Sequence, residues 1–388
     1  MISTEAFSGH LGPTLQTTIA LQGAASQATL APQKKKNLLA ISFDEMEQAI
    51  LERGWKRYRA DQLLSWLYQG HVGSFDEMTD IAKSARLALA EWAEIRHLKI
   101  VMRQMSSDGT EKFLIELEDG NRVETVFIPG PMRLTLCISS QAGCTLDCGF
   151  CLTAQEKLKR NLKPHEMVGQ ILTLQRALPK GKRITNIVMM GMGEPLANYR
   201  NVIEALGQMT STRGMGFSPR RVTVSTAGMI PQILKFWQEP NPVNLSISLN
   251  ATTNAIRDEI MPAVNRLYPL EQLMAACRAV VLPPRRKMTF EYVLLAGVND
   301  SLEDAKRLIQ LTHRIPCKIN LIPFNEFASS PYGRPSDDRV LQFQNCLQKG
   351  GLVATLRRSR GRDIGAACGQ LNSEVTAHVD SALRTLPD

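Results

Sequence analysis

Three cysteines, Cys144, Cys148 and Cys151, stand in the run Gly143-Cys144-Thr145-Leu146-Asp147-Cys148-Gly149-Phe150-Cys151. Their spacing is C-x3-C-x2-C, directly after an apolar stretch that reads as a strand. Three thiolates from one tight loop cannot close a tetrahedral site around a single metal. They can each hold one iron of a [4Fe–4S] cube. The fourth iron is then open to a substrate atom, which makes the cluster a tool for chemistry rather than a staple. Zinc is the rival metal, but zinc sites show paired C-x2-C units with a fourth Cys or His nearby, and only the isolated His165 follows here.

Further residues could share that chemistry. Gly191-Met192-Gly193-Glu194-Pro195 joins glycines that permit close backbone approach to a carboxylate suited to an ammonium group. That combination suits the amino-acid end of S-adenosylmethionine, with Ser225, Ser248 and Asn325 available for its ribose or carboxylate. Cys368 lies between glycines in Gly365-Ala366-Ala367-Cys368-Gly369, after Arg357-Arg358-Ser359-Arg360 and Arg362. A thiol on a loop free to move, beside arginines able to hold phosphate, reads as a reactive nucleophile. Cys137 precedes Cys144 by seven residues on the strand leading into the loop. Core packing and reactivity are equally open for it. Glu124 reads as a solvated hairpin carboxylate, and Cys277, Cys317 and Cys346 as packing residues.

The elements that must position these groups are legible in outline. From Ile41 to about Leu98 the pattern is helical, opened by the N-cap run Ser42-Phe43-Asp44-Glu45 and carrying Lys56, Arg57 and Arg59 on a turn. A β-hairpin follows, with Lys112–Glu118 and Arg122–Ile128 around the turn pair Asp119-Gly120. After Pro131 the chain alternates. Strands are expected at 134–139, 186–190, 222–226, 244–249, 288–294 and 319–323, with helices near 164–178, 198–212, 229–238, 269–282 and 301–314. Strand–helix alternation predicts a parallel sheet, and six repeats fall short of the eight of a closed barrel. The three cysteines, Glu194, Ser225, Ser248, Asn250 and Asn325 then all follow strand ends and share one mouth of an open, partial barrel.

The 388 residues, 44% of them hydrophobic, can bury a full core, and the net charge of +9 points to a polyanionic partner, nucleic acid before membrane. No run of about 18 apolar residues is present, so no membrane span is expected. The N-terminus lacks the order of a secretory signal. Eight cysteines, far apart except for the trio, fit a reducing cytoplasm. Residues 1–37, ending in Lys34-Lys35-Lys36, read as a disordered leader. The remaining expected units are a helical RNA-binding accessory domain over 38–100, a β-hairpin linker over 101–132, a core over 133–371 and a tail over 372–388. Phosphate contacts are expected from Lys157, Lys159, Arg160, Lys163, Arg220-Arg221, Arg285-Arg286-Lys287 and the 357–362 strip.

Taken together, Ser139-Ser140-Gln141-Ala142-Gly143-Cys144, the cysteine trio, Gly191–Leu196, Ser225-Thr226-Ala227-Gly228 and Gly365–Leu371 resemble the radical S-adenosylmethionine superfamily. Within it, the chain from Ile41 to about Leu371 resembles the RNA adenine C2-methyltransferase family. The resemblance implies an α/β fold, a partial (β/α)6 barrel with a small N-terminal helical domain and a β-hairpin extension. It implies one [4Fe–4S] cluster on Cys144, Cys148 and Cys151, and two molecules of S-adenosylmethionine per turnover. Gly193, Glu194, Ser225, Ser248, Leu249, Asn250 and Asn325 are implied to contact the cofactor, although many members show histidine where Asn250 stands. Cys368 is implied as the methyl-carrying cysteine, Cys137 as its resolving partner and Glu124 as the proton acceptor. The implied partners are 23S rRNA, at the peptidyl-transferase centre, and tRNA, at the adenosine 3′ of the anticodon. An electron donor such as flavodoxin with its reductase is also implied, and a monomer in the cytoplasm is expected. The rival readings are the sister enzyme acting at C8 and a non-catalytic iron–sulfur RNA-binding factor of ribosome assembly. A methylthiotransferase would need a second cysteine trio.

Overall fold

The computed structural model describes residues 35–179 and 181–374. One ten-stranded sheet organises the chain, and its strands lie side by side in sequence order. They are β1 (Lys99–Met105), β2 (Glu111–Glu116), β3 (Arg122–Pro129), β4 (Leu134–Cys137), β5 (Asn186–Met189), β6 (Val222–Thr226), β7 (Asn244–Ser248), β8 (Met288–Leu294), β9 (Cys317–Pro323) and β10 (Ala354–Leu356). β1 to β4 pair antiparallel and β4 to β10 pair parallel, so β4 is the seam between the two regimes. Helices at 164–177, 199–210, 230–236, 270–279, 302–311 and 337–349 fill the crossovers. The two edge strands, β1 and β10, do not meet, which leaves the partial barrel open as expected.

The inner face of this sheet is set by alternation. In β6, Val222, Val224 and Thr226 are buried, while Thr223 and Ser225 line the lumen. In β7, Leu245 and Ile247 pack in the core, and Asn244, Ser246 and Ser248 face the lumen. The apolar face is covered by the crossover helices, burying among others Ile171, Leu206, Leu273 and Leu308.

The N-terminal module is helical over α1 (Phe43–Leu51), α2 (Tyr58–Tyr68) and α3 (Lys83–Trp92). Ser42 and Glu45 form a reciprocal capping box at 3.2 and 2.7 Å, worth about 1 kcal/mol. Met46, Ile50, Leu63, Leu64 and Leu67 close its core.

Three expectations are corrected. The hairpin is no linker: β3 pairs with β4, Val126 opposite Cys137, so it continues the main sheet. Lys99–Met105 was not expected as a strand, because a bulge between Ile100 and Met102 breaks its alternation. The core runs past 371, since Asn372 and Ser373 are buried and hydrogen-bonded. The leader expected over 1–37 lies outside the described residues except at its end, where Lys36–Asn37 pairs with Ala93–Glu94. Residues 375–388 of the expected tail also lie outside them.

Candidate active site

The cysteine loop leaves the C-terminal end of β4 and folds back on itself. Gly143 has φ 77°, and a Cβ there would sit 2.3 Å from the Lys157 carbonyl, so no side chain fits. The Cys144 N–H donates to the Glu156 carbonyl at 3.1 Å, and the Gly149 N–H to that of Ile260 at 3.0 Å. Cys144, Cys148 and Cys151 line one cavity of about 160 Å³. Burial pushes the Cys144 thiol up to about 12 and Cys148 well above its usual range, and the neighbouring sulfurs add to the shift at Cys148. Burial also raises Cys151. Massed, buried thiols resist ionisation until a cation offsets the charge, which is what iron supplies. Among the described residues no three His, Cys, Asp or Glu side chains converge on one point as for a single ion. A cube takes one thiolate at each of three corners, so its ligands need not converge. The donor set fits the cluster.

The opposite wall fits an amino-acid-bearing cofactor. Gly193 has φ 98°, and a Cβ there would meet the Gln141 Cβ at 2.5 Å. Next to it, the Glu194 carboxylate accepts the N–H groups of Leu196 (3.0 Å) and Ala227 (2.7 Å). Burial still pushes its pKa up to about 7. Ser225 and Ser248 line the same cavity. Asn250 does too, at φ 56°, with its Oδ1 accepting the Val293 N–H at 2.9 Å and its Nδ2 against the Met261 sulfur at 3.4 Å. Asn325 donates to the Cys368 carbonyl at 3.0 Å, and its buried Oδ1 has no protein partner. Leu249 is the exception: its side chain is in the core, so only its main chain can reach a ligand.

Cys368 lines this cavity and also an adjoining one of about 200 Å³, which Cys137 lines with Arg357 and Arg358. Both thiols are free. Burial and the nearby Cys368 push Cys137 up to about 12, partly offset by Arg357. The Cys368 loop is not free to move. Gly369 accepts the Leu152 N–H at 2.7 Å, Leu371 the Thr153 hydroxyl at 2.6 Å, and Gln370 donates to the Glu326 carbonyl at 2.8 Å.

Glu124 is neither solvated nor on the cavity wall. It is fully buried, 3.0 Å from the Lys112 ammonium, and accepts the Asn372 N–H at 2.6 Å. The expected basic strip also divides. Lys159 pairs with Glu156 and Glu374, Arg160 with Asp119 and Glu166, and Arg360 with Asp108. Arg220, Arg285, Arg286 and Lys287 stand at the other end of the barrel, where the parallel strands begin. Sequence reasoning passed over Glu291, which lines the cavity, and expected Arg357 on RNA phosphate rather than on the cavity wall where it stands. Glu291 was detectable as the one charged residue in the apolar strand Met288–Leu294.

Comparison with known proteins shows the family. Residues 36–95 match the ribosomal RNA large subunit methyltransferase N-terminal domain, and residues 138–309 the radical SAM superfamily. The chain is 49% identical over 338 residues to the dual-specificity RNA methyltransferase RlmN of Syntrophus aciditrophicus, covering 87% of this chain and 97% of that one. Its identity to the protein of the same name from Geobacter sulfurreducens is 50% over 341 residues, covering 88% and 93%. A crystal structure of a radical SAM methyltransferase from Sphaerobacter thermophilus superposes with TM-score 0.82 at 41% identity, covering 87% of this chain and 99% of that one. A [4Fe–4S] cluster and S-adenosylmethionine are therefore its cofactors, and the chain belongs to the RlmN family of radical SAM RNA methyltransferases.

Proposed function

We propose that this enzyme makes 2-methyladenosine in 23S rRNA, at the peptidyl-transferase centre, and in tRNA, 3′ of the anticodon. The observation that carries this reading is Cys368, whose wall is common to the cavity of the three cysteines and to that of Cys137. The C2 carbon of adenine is electron-poor and cannot attack a methylsulfonium, so the methyl must first rest on a protein atom.

Cys144, Cys148 and Cys151 would hold the cluster. Gly193, Glu194, Ser225, Ser248, Asn250, Asn325 and the Leu249 main chain would hold S-adenosylmethionine. Bound together, these groups supply a transferable methyl and a one-electron cleavage that activates it. The residues do the rest. Cys368 accepts the methyl on sulfur, giving up its thiol proton. After the carbon joins C2, the adduct must give up one electron, for which the bound cluster would be the acceptor, and Glu124 takes the C2 proton, which requires Asn372 to release its carboxylate. Cys137 then attacks the Cys368 sulfur. An S–S bond forms, the S–C bond breaks, and the carbon keeps the electron pair and is protonated. An external thiol resets the disulfide.

The exposed Arg358 beside the thiols, with Lys157, Lys163 and Arg362, suits RNA phosphates. No helix among the described residues is long and apolar enough to cross a membrane. A monomer in the cytoplasm, served by a flavodoxin-type donor, completes the reading.

The test is anaerobic turnover with cofactor, reductant and either rRNA or tRNA fragments, followed by mass spectrometry of the nucleosides. 2-Methyladenosine in both RNAs is expected. 8-Methyladenosine would assign the chain to the sister chemistry, and an unmethylated product with both RNAs would end the proposal.

A further inference from the structure

The end of the barrel remote from the thiols holds another cavity, of about 550 Å³. Its wall also carries Val188 and Met190, but the inward residues nearest the strand starts are Asn186 of β5, Thr223 of β6, Asn244 of β7, Thr289 of β8 and Lys318 of β9. Every one is a hydrogen-bond former, in a layer that closed barrels fill with branched apolar side chains. The turns feeding those strands add a rim of Arg133, Arg220, Arg285, Arg286 and Lys287.

Charge at this mouth is uncompensated. None of Arg133, Arg220, Arg285, Lys287 and Lys318 forms an ion pair among the described residues. Arg286 is braced from within, donating to the Asn244 Oδ1 at 2.6 Å and to the Pro242 carbonyl at 3.1 Å. Burial and the adjacent Arg220 lower the pKa of Arg286, so these cations repel one another. Arg285 is held at φ 61°, a conformation arginine rarely adopts. The single carboxylate, Glu291, lies at the inner end, with one oxygen taken by Ser246 and Asn320 and the other without a partner.

We propose that this mouth is a second, phosphate-binding site. Guanidinium and ammonium groups set round a recess of neutral donors match the oxygens of a phosphate. The volume exceeds what a lone oxyanion needs and suits a nucleotide-sized group. The phosphate comes either from a free nucleotide or from the backbone of bound RNA. Met190, Glu291 and Arg357 line both this cavity and the one holding the cysteine trio, so charge placed here is felt at Arg357. The proposal rests on the charge and shape of this mouth, not on the methylation reading.

The test titrates the cluster-loaded full chain with AMP and with inorganic pyrophosphate by calorimetry, and with RNA by anisotropy over a range of salt. Arg220→Ala/Arg285→Ala and Lys318→Met are compared with the unaltered protein, with melting temperature and iron content as folding controls. Saturable binding of a probe, weakened about tenfold or more in the variants, is the expected result. If the phosphate belongs to RNA, the variants also lose RNA affinity and the salt slope shrinks by about 1 to 2. If it belongs to a free nucleotide, RNA binding is unchanged while probe binding falls. Absence of probe binding with an unchanged salt slope overturns the proposal. Probe binding that both variants leave intact overturns it as well.

Discussion

The side chain of Asn325 holds the main chain of Cys368: its Nδ2 donates to the Cys368 carbonyl at 3.0 Å, and its Oδ1 stays buried with no partner. One residue thereby fixes the thiol loop and keeps an unpartnered acceptor in the cavity proposed for the cofactor. Asn325→Leu should lose both functions. A hydrogen bond nets about 1 kcal/mol, and the orphaned groups cost about as much again. Cofactor affinity and methylation rate should each fall roughly tenfold, read by titration of S-adenosylmethionine and by product formation. Unchanged affinity would detach Asn325 from the cofactor.

Cys137→Ala should trap the enzyme on its RNA, because no second thiol is left to break the S–C bond. A protease-sensitive band of reduced mobility on a denaturing gel is the expected signature. Cys368→Ala should form no such band and no methylated nucleoside. Methylation at a normal rate by either variant would remove the role proposed for that thiol.

Glu194 predicts a pH dependence for the cluster-free chain. Burial raises its folded pKa to about 7, above the ordinary carboxyl value of 4.5. The folded state therefore binds more protons at this group between those values, so the stability Glu194 contributes is fully present below pH 4.5 and is lost as pH rises through 7. The decline should be at most about 3 kcal/mol. Denaturant midpoints measured from pH 5 to 8 should fall in the unaltered protein and flatten in Glu194→Gln. An equal slope in both would locate the titration elsewhere.

Lys112 and Glu124 form a buried ion pair on adjacent strands, 6% and 0% exposed, and such pairs are costly to break from one side. Lys112→Met should destabilise the fold by roughly 3–5 kcal/mol. Lys112→Met combined with Glu124→Leu should recover part of that loss, since no charge remains inside. Additive losses in the double variant would mean the two residues do not act as a pair.

Gly143→Ala tests the cysteine loop. The added Cβ must displace the Lys157 carbonyl, which sits on main chain and cannot swing away. Iron per chain after reconstitution should drop well below that of the unaltered protein while the far-ultraviolet spectrum is kept. Full iron loading would show that the loop tolerates the shift.

Much of this centre was legible in the sequence, for identifiable reasons. Val222–Thr226 and Met288–Leu294 fall where expected because β-branched and aromatic runs bounded by breakers leave little choice. The shared mouth followed from parallel topology alone, since every strand delivers its last residues to the same end. What failed to show was the consequence of side-chain pairing across long sequence separations. Glu124 looked solvated until Lys112 and Asn372 closed over it. Cys368 looked mobile because glycines flank it, yet its loop carbonyls find donors on Asn325, Leu152 and Thr153. The arginine runs could not be divided between two barrel ends without the strand starts. Ala354–Leu356 is three residues long, too short for any periodicity to register.

The last described residues are stitched to the cluster loop: Leu371 to Thr153, Ser373 to Glu156, and Asn372 to Glu124 on the neighbouring antiparallel strands. Strand neighbours follow sequence order, so a nascent chain emerging from the ribosome can lay down its sheet one strand at a time. Cys368, proposed as the methyl acceptor, is synthesised after the three cysteines and the strand residues that line its cavity. A chain truncated before Cys368 would keep the three cysteines proposed to hold iron and lack the thiol proposed to accept the methyl.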